Sequence, residues 1–191
     1  MRIGVLGGSF DPVHIAHLTV AEAAAAQLRL DEVRFVPTAI QPFKCQGHHA
    51  EAKHRVAMLR LALNGRPGLV LDLREVERGG ISYTVDTLTD LRREFPSDEL
   101  FLLIGADTAL DLPRWRDVDK LCELAQIVAM SRAGGPPPDL AAITNVLTVP
   151  SIDVSASAIR QAARHGNVVA EWVPCSVAEY IRTHNVYHSD D

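Results

Sequence analysis

Between Gly7 and His17 the chain reads GGSFDPVHIAH, and several chemistry-bearing groups fall within those few residues. Gly7 and Gly8 follow the short apolar run IGVL, where a missing Cβ permits unusual dihedrals and lets a ligand approach the backbone closely. Asp11 followed by Pro12 is a plausible N-cap and first-turn pair, so a helix is expected to begin there. The free N–H groups and partial positive charge of such a helix start form an anion site. His14 and His17, three residues apart, project from one face of it. Two imidazoles and the backbone donors of Gly7, Gly8, Ser9 and Phe10 around one spot suit phosphate oxygens. Glycines after a strand also serve plain turns. A pair of histidines can begin a zinc site, but zinc needs at least a third ligand and nothing nearby offers one, so no metal ligands are assigned. Neither the GxGxxG fingerprint nor the P-loop pattern is present.

Three further stretches carry weaker signals. RGGISYTVDTL, Arg78 to Leu88, is a turn feeding a helix whose first N–H groups lie near Tyr83 and Thr84, a seat for a small carboxylate. On local grounds alone Thr84 reads as a helix cap before it reads as a ligand contact. In LIGADTALDLPRW, Gly105 and Asp107 end an apolar strand, and the Asp107 carboxylate could accept bonds from ribose hydroxyls. Trp115 offers a flat face for stacking, although a single Trp is more often core. In DVSASAIR, Ser155 to Ser157 opens a helix and Arg160 adds a forked cation. Serine capping with a solvated Arg is the ordinary reading of that pattern.

The elements that must position these residues alternate along the chain. RIGVLG, EVRFVP, LVLDLREV, ELFLLIG, QIVAMS and VLTVP read as strands. Between them IAHLTVAEAAAAQL, AEAKHRVAMLRLAL, YTVDTLTDLRREF and DVDKLCELA read as helices, and SASAIRQAARHG and CSVAEYIRTHN add a C-terminal helical segment. This alternation predicts an α/β, Rossmann-like doubly wound parallel sheet with helices on both faces. RAGGPPPD reads as a surface loop, so residues 1–191 are expected to form a single domain. In such a sheet the loops after the first, fourth and last strands should face one crevice.

Composition narrows the partners. A net charge of -5 leaves no basic surplus for wrapping nucleic acid. No apolar run approaches the roughly 20 residues of a membrane span, and the N-terminus carries too short an apolar run for a signal peptide. Three widely spaced cysteines suggest neither disulfides nor structural zinc. The expectation is a cytoplasmic protein without nucleic-acid or membrane partners, with a homo-oligomer allowed.

The opening run resembles the signature of the nucleotidyltransferase superfamily written H-x-G-H, and the four stretches together, in this order, resemble the bacterial nicotinate-mononucleotide adenylyltransferases over nearly the whole chain. The resemblance implies transfer of AMP from ATP to nicotinate mononucleotide, giving nicotinate adenine dinucleotide (deamido-NAD) and pyrophosphate in NAD biosynthesis, with Mg2+ arriving on ATP. It places ATP against Gly7, Gly8, Ser9, Phe10, His14, His17, Gly105, Asp107, Ser155 and Arg160, and nicotinate against Tyr83, Thr84 and Trp115. His14, His17, Arg160 and Lys44, the last in QPFK where the family has Pro-Pro-His-Lys, become the catalytic set. The departures from the family pattern include Ala16 for Gly, Phe43 for His and Ala156 for Ser. Ala16 should narrow the phosphate approach slightly without loss of activity. Phosphopantetheine adenylyltransferase shares the chemistry but has no evident use for SYTVDTL and Trp115. A class I aminoacyl-tRNA synthetase fragment would lack its KMSKS-like loop here. A sensor that binds nucleotide without turnover and a nicotinamide-dependent oxidoreductase are further readings, the latter opposed by the missing glycine fingerprint.

Overall fold

The computed structural model describes residues 1–42, 48–132 and 141–187. Six parallel strands, β1 Arg2–Gly8, β2 Glu32–Pro37, β3 Leu69–Leu71, β4 Glu99–Gly105, β5 Gln126–Arg132 and β6 Asn145–Val149, form one sheet. Their order is β3-β2-β1-β4-β5-β6. β1 runs in register with β2 from Ile3 opposite Glu32 to Gly8 opposite Pro37, and with β4 from Arg2 opposite Glu99 to Val5 opposite Leu102. The strand order reverses between β1 and β4, which is where a doubly wound sheet opens its ligand crevice.

Both faces of the sheet are buried, and strand periodicity divides the core in two. Along β4, Phe101 and Leu103 enter one core with Phe35, Val128 and Leu6, while Leu100, Leu102 and Ile104 enter the other with Val5, Ile127 and Ala129. The continuous apolar run LFLLI therefore needs both faces covered. Helices α1 Ile15–Leu28, α2 Ala52–Leu63, α7 Ala156–Arg164 and α8 Cys175–Thr183 cover the first face. α4 Thr84–Glu94, the short α5 Ala106–Ala109 and α6 Val118–Leu124 cover the second. Each side chain so buried contributes roughly 1.5–3 kcal/mol relative to exposure.

Two boundaries differ from the sequence reading by more than two residues. LVLDLREV is not one strand: β3 stops at Leu71, and Arg74–Arg78 is a short helix, α3. Asp72 accepts hydrogen bonds from the Arg74 N–H at 3.1 Å and from its guanidinium at 2.7–2.9 Å, and this local bonding turns the chain out of the strand. α1 begins at Ile15 with His14 as its N-cap, not at Asp11–Pro12. The Asp11 carboxylate is occupied elsewhere, by the N–H groups of His49 and Ala50 and by the Tyr187 hydroxyl. RAGGPPPD beyond Arg132, and Phe43 and Lys44 of QPFK, lie outside the described residues.

Candidate active site

A cleft of about 730 Å³ opens at the carboxyl ends of β1, β2 and β4. One wall is the exit of β1. Gly7 and Gly8 remain part of the extended strand and neither has a left-handed φ, so their role is not unusual dihedrals. A Cβ on Gly7 would meet nothing within 4 Å, which leaves its backbone open to the cleft. A Cβ on Gly8 would lie 3.2 Å from the Phe10 ring. Phe10 itself takes the left-handed φ of 45° and is buried, packed on Phe35. Its ring therefore lies beneath the cleft and offers no face to a nucleotide.

The two imidazoles meet. Their ring centroids are 3.7 Å apart at an interplanar angle of 27°, and the Phe10 edge lies against His17 at 5.1 Å. The His14 backbone N–H donates to His17 Nδ1 at 3.2 Å. With Nδ1 accepting, the neutral His17 ring carries its proton on Nε2 and has one donor to offer. Burial, and then the neighbouring His14, hold the His17 pKa well below the usual range, and burial lowers that of His14 to about 4. Both rings are uncharged at neutral pH. His17 lines the cleft, whereas His14 is 8% exposed and sits behind it.

A buried polar frame holds this wall. Arg55, 1% exposed on α2, donates to the carbonyls of Ser9 and Thr38, both at 2.8 Å, and so joins the loops after β1 and β2. Arg160 donates to the Asp11 carbonyl at 2.8 Å and to Ser157 Oγ at 3.1 Å. Ser155 caps α7, its hydroxyl accepting the Ala158 N–H at 3.2 Å. Neither Ser155 nor Arg160 is among the residues that line this cleft. β6 sits at the sheet edge with β5 and β4 between it and β1, and Arg160 reaches back to the β1–α1 turn at the Asp11 carbonyl.

The opposite wall comes from the turn before α4 and from the segment after β4. Gly79 and Gly80, at φ 69° and 68°, turn the chain between α3 and α4 in a conformation that favours glycine. Tyr83 is the N-cap of α4 and Thr84 its first residue, so Thr84 does not cap the helix. Its N–H is one of the helix's orphan donors. Tyr83, Thr84, Gly105 and Trp115 all line the cleft, while Asp107 is exposed in α5 beside it. The structure thus brings Gly7, Gly8, Ser9, His17, Tyr83, Thr84, Gly105 and Trp115 to one cavity. Glu75, Thr38 and Arg116 line it as well, and the Arg116 guanidinium lies 4.8 Å over the Tyr83 ring.

Residues 5–162 match the cytidylyltransferase-like family. A relative from Gemmatimonas aurantiaca, named "Probable nicotinate-nucleotide adenylyltransferase", is 40% identical over 98% of this chain and 92% of its own length. A relative of the same name from Thermus thermophilus is 41% identical over 98% of this chain and 100% of its own. The chain belongs to the nicotinate-nucleotide adenylyltransferase family. Among solved structures, Plasmodium falciparum nicotinic acid mononucleotide adenylyltransferase, complexed with NaAD, aligns with a TM-score of 0.79 over 97% of each chain. At 20% identity that likeness speaks for the fold. Within the family frame, Arg55, Glu75 and Tyr187 escape sequence reading. Arg55 has a faint signal, a cation inside an otherwise apolar helix stripe; Glu75 looks like one of several solvated charges in REVER.

Proposed function

We propose that this chain, acting as one nucleotidyltransferase domain over residues 1–191, joins ATP and nicotinate mononucleotide into nicotinate adenine dinucleotide with release of pyrophosphate. The observation that carries the reading is a single cleft with a neutral imidazole donor and open backbone at one end and a helix N-terminus beside Tyr83 and Trp115 at the other. The attacking group is a phosphate oxygen of the mononucleotide, already anionic at neutral pH, so no general base is required. The bond from the α-phosphorus of ATP to the bridging oxygen breaks as the new phosphoanhydride forms. Catalysis is positioning and charge stabilisation. His17 Nε2–H donates to phosphate oxygens near Gly7, with His14 setting its tautomer. Arg160, the α7 amides and Ser155 serve the departing pyrophosphate, and Lys44, outside the described residues, serves the reacting phosphates. Asp107 reaches ribose hydroxyls. At the other end Trp115 stacks the pyridine ring, and the α4 amides near Tyr83 and Thr84 take the carboxylate. A nicotinamide NH₂ would present donors to those donors, a mismatch costing on the order of 1–3 kcal/mol.

Among the described residues no group of three or more His, Cys, Asp or Glu could hold a metal ion. In this reading Mg2+ enters coordinated by the phosphates of ATP. No helix among the described residues is long and apolar enough to cross a membrane, and we infer a cytoplasmic enzyme. The test is pyrophosphate release from ATP with nicotinate mononucleotide, nicotinamide mononucleotide and phosphopantetheine offered separately. The first should be the preferred acceptor, with the dinucleotide recovered; preference for either of the others contradicts the reading.

A further inference from the structure

The acceptor end of the cleft contains a cation that the proposed reaction leaves without a role. Arg116 lines the cleft beside Trp115 and Thr84, and its guanidinium lies 4.8 Å over the ring of Tyr83, the N-cap of α4. The backbone that carries it is held from both sides. Before it, the turn Leu112–Arg114 is anchored by Leu112, 1% exposed in the second core, and the Trp115 N–H closes that turn on the Leu112 carbonyl at 3.0 Å. After it, Asp117 takes a left-handed φ of 53° and starts α6, which Leu121 fixes to the same core. The side chain is left free to act. It is 53% exposed, its carboxylate neighbours Asp86 and Asp117 stand at 3.8 and 3.5 Å, and its guanidinium makes no hydrogen bond among the described residues. A charge-assisted pair closes to about 2.7–2.9 Å, so the forked donors remain open to a ligand. Meanwhile the Tyr83 face keeps the cation over the helix start, since a guanidinium within about 6 Å of an aromatic centroid is attracted to it. Asp86 gives that cation a purpose. It lies in the first turn of α4, so its negative charge stands next to the amides that the acceptor reading gives to the pyridine carboxylate. Two carboxylates at one site disfavour each other's charge, and a guanidinium between them offsets both.

We propose that Arg116 is a specificity-determining residue of the acceptor site: its guanidinium pairs with the carboxylate of the pyridine mononucleotide while offsetting the charge of Asp86, and so favours the acid over the amide. This rests on the acceptor assignment above and adds a side-chain charge to the backbone donors named there. The planar fork of an Arg matches a carboxylate with two parallel N–H···O bonds. A carboxamide presents one acceptor oxygen, no charge, and an NH₂ that gains nothing from a cation. The phosphate of the mononucleotide is the competing partner, but the reading places it on the opposite wall at Gly7 and His17, whereas Arg116 is tied to Tyr83 and Asp86 at the start of α4. More than half of the side chain meets solvent, so its contribution is that of a screened ion pair and not of a buried one.

The test is the ratio of kcat/KM for nicotinate mononucleotide to that for nicotinamide mononucleotide, in which every contact to the shared ribose and phosphate cancels. Arg116→Gln should lower the ratio about fivefold, the scale of one solvent-screened ion pair, with the loss falling on the acid. Asp86→Asn removes the repulsion and releases the guanidinium, so it should move the ratio the other way, up by about twofold. Opposite signs from two neighbouring substitutions are not what a merely structural role produces. Raising the salt from about 0.1 M to about 1 M shortens the Debye length from about 10 Å to about 3 Å, and should lower the ratio in the unmodified enzyme while leaving it nearly flat in R116Q. An unchanged ratio in R116Q overturns the proposal. So does an equal loss for both acceptors, which would put Arg116 on the phosphate they share, and so does a fall in the ratio for D86N. Absence of any turnover with nicotinate mononucleotide in the unmodified enzyme would sink the acceptor assignment itself, a result distinct from turnover with an unchanged ratio.

Discussion

The two ends of the cleft are built differently. At the phosphate end, buried polar groups tie distant segments together: Asp11 binds the N–H groups of His49 and Ala50 and the Tyr187 hydroxyl, Arg55 bridges Ser9 and Thr38, and Arg160 reaches the Asp11 carbonyl. At the acceptor end, Tyr83, Trp115 and Arg116 present partly exposed faces, and the first N–H groups of α4 beside Thr84 are without helical partners. A triphosphate offers the same oxygens on every turnover, and a preorganised frame stabilises charge there without reorganising. An acceptor must be told from near-isosteres, and donors or acceptors left unpaired until the correct ligand arrives are what discriminate. On the proposed reading, rigidity and selectivity occupy opposite ends of one cavity.

Substitutions should separate the two ends. The largest effect belongs to His17→Ala, which removes the donor at the phosphate end and should lower kcat by about 10²- to 10³-fold with a normal melting curve. Steady-state kinetics beside circular dichroism will show it, and turnover near that of the unmodified enzyme would remove His17 from the mechanism. Asp11→Ala strips the partners from a buried N–H group, a part-buried one and a buried hydroxyl, and should cost about 3 kcal/mol of stability in urea unfolding. A loss under about 0.5 kcal/mol, the range of ordinary surface changes, would mean that the frame is not rigid.

A smaller effect follows from the imidazole pair. His14 has its pKa lowered from 6.5 to about 4, so above pH 6.5 neither folded nor unfolded chain holds its proton and nothing is lost. As pH falls from 6.5 toward 4, the unfolded chain takes up a proton that the folded chain refuses, and stability drops by up to about 3 kcal/mol from this group. His17 acts in the same direction. His14→Gln should therefore flatten the fall in melting temperature across that window, and an unaltered slope would assign it to other groups. The smallest change is expected at the acceptor end: Trp115→Ala should raise KM for the pyridine mononucleotide about tenfold, the scale of one base–aromatic stack, and leave KM for ATP alone. Equal shifts in both constants would blur the distinction between the ends.

The parts of this architecture that are local in sequence are also the parts legible there. EVRFVP is β2 residue for residue and IAHLTVAEAAAAQL is α1, because apolar periodicity sets each element against the core it will meet. REVER misleads because Asp72 turns the chain by a hydrogen bond to Arg74 that the strand-like apolar run before it does not announce. Asp11 reads as a helix cap from its neighbours alone, yet its partners come from 38 to 176 residues away. Glu75 is harder still, since only the packing of Thr87 and Ser82 onto α3 reveals that one charge in an acidic and basic run is buried. Long-range polar satisfaction has no periodicity to read.

A crystal structure of the enzyme with its dinucleotide product tests the central claim most directly. The account predicts the pyrophosphate bridge beside Gly7 and within hydrogen-bond reach of His17 Nε2, with the pyridine ring against Trp115 and its carboxylate toward Thr84. A product lying in the reverse direction, or outside the cleft between β1 and β4, would contradict it.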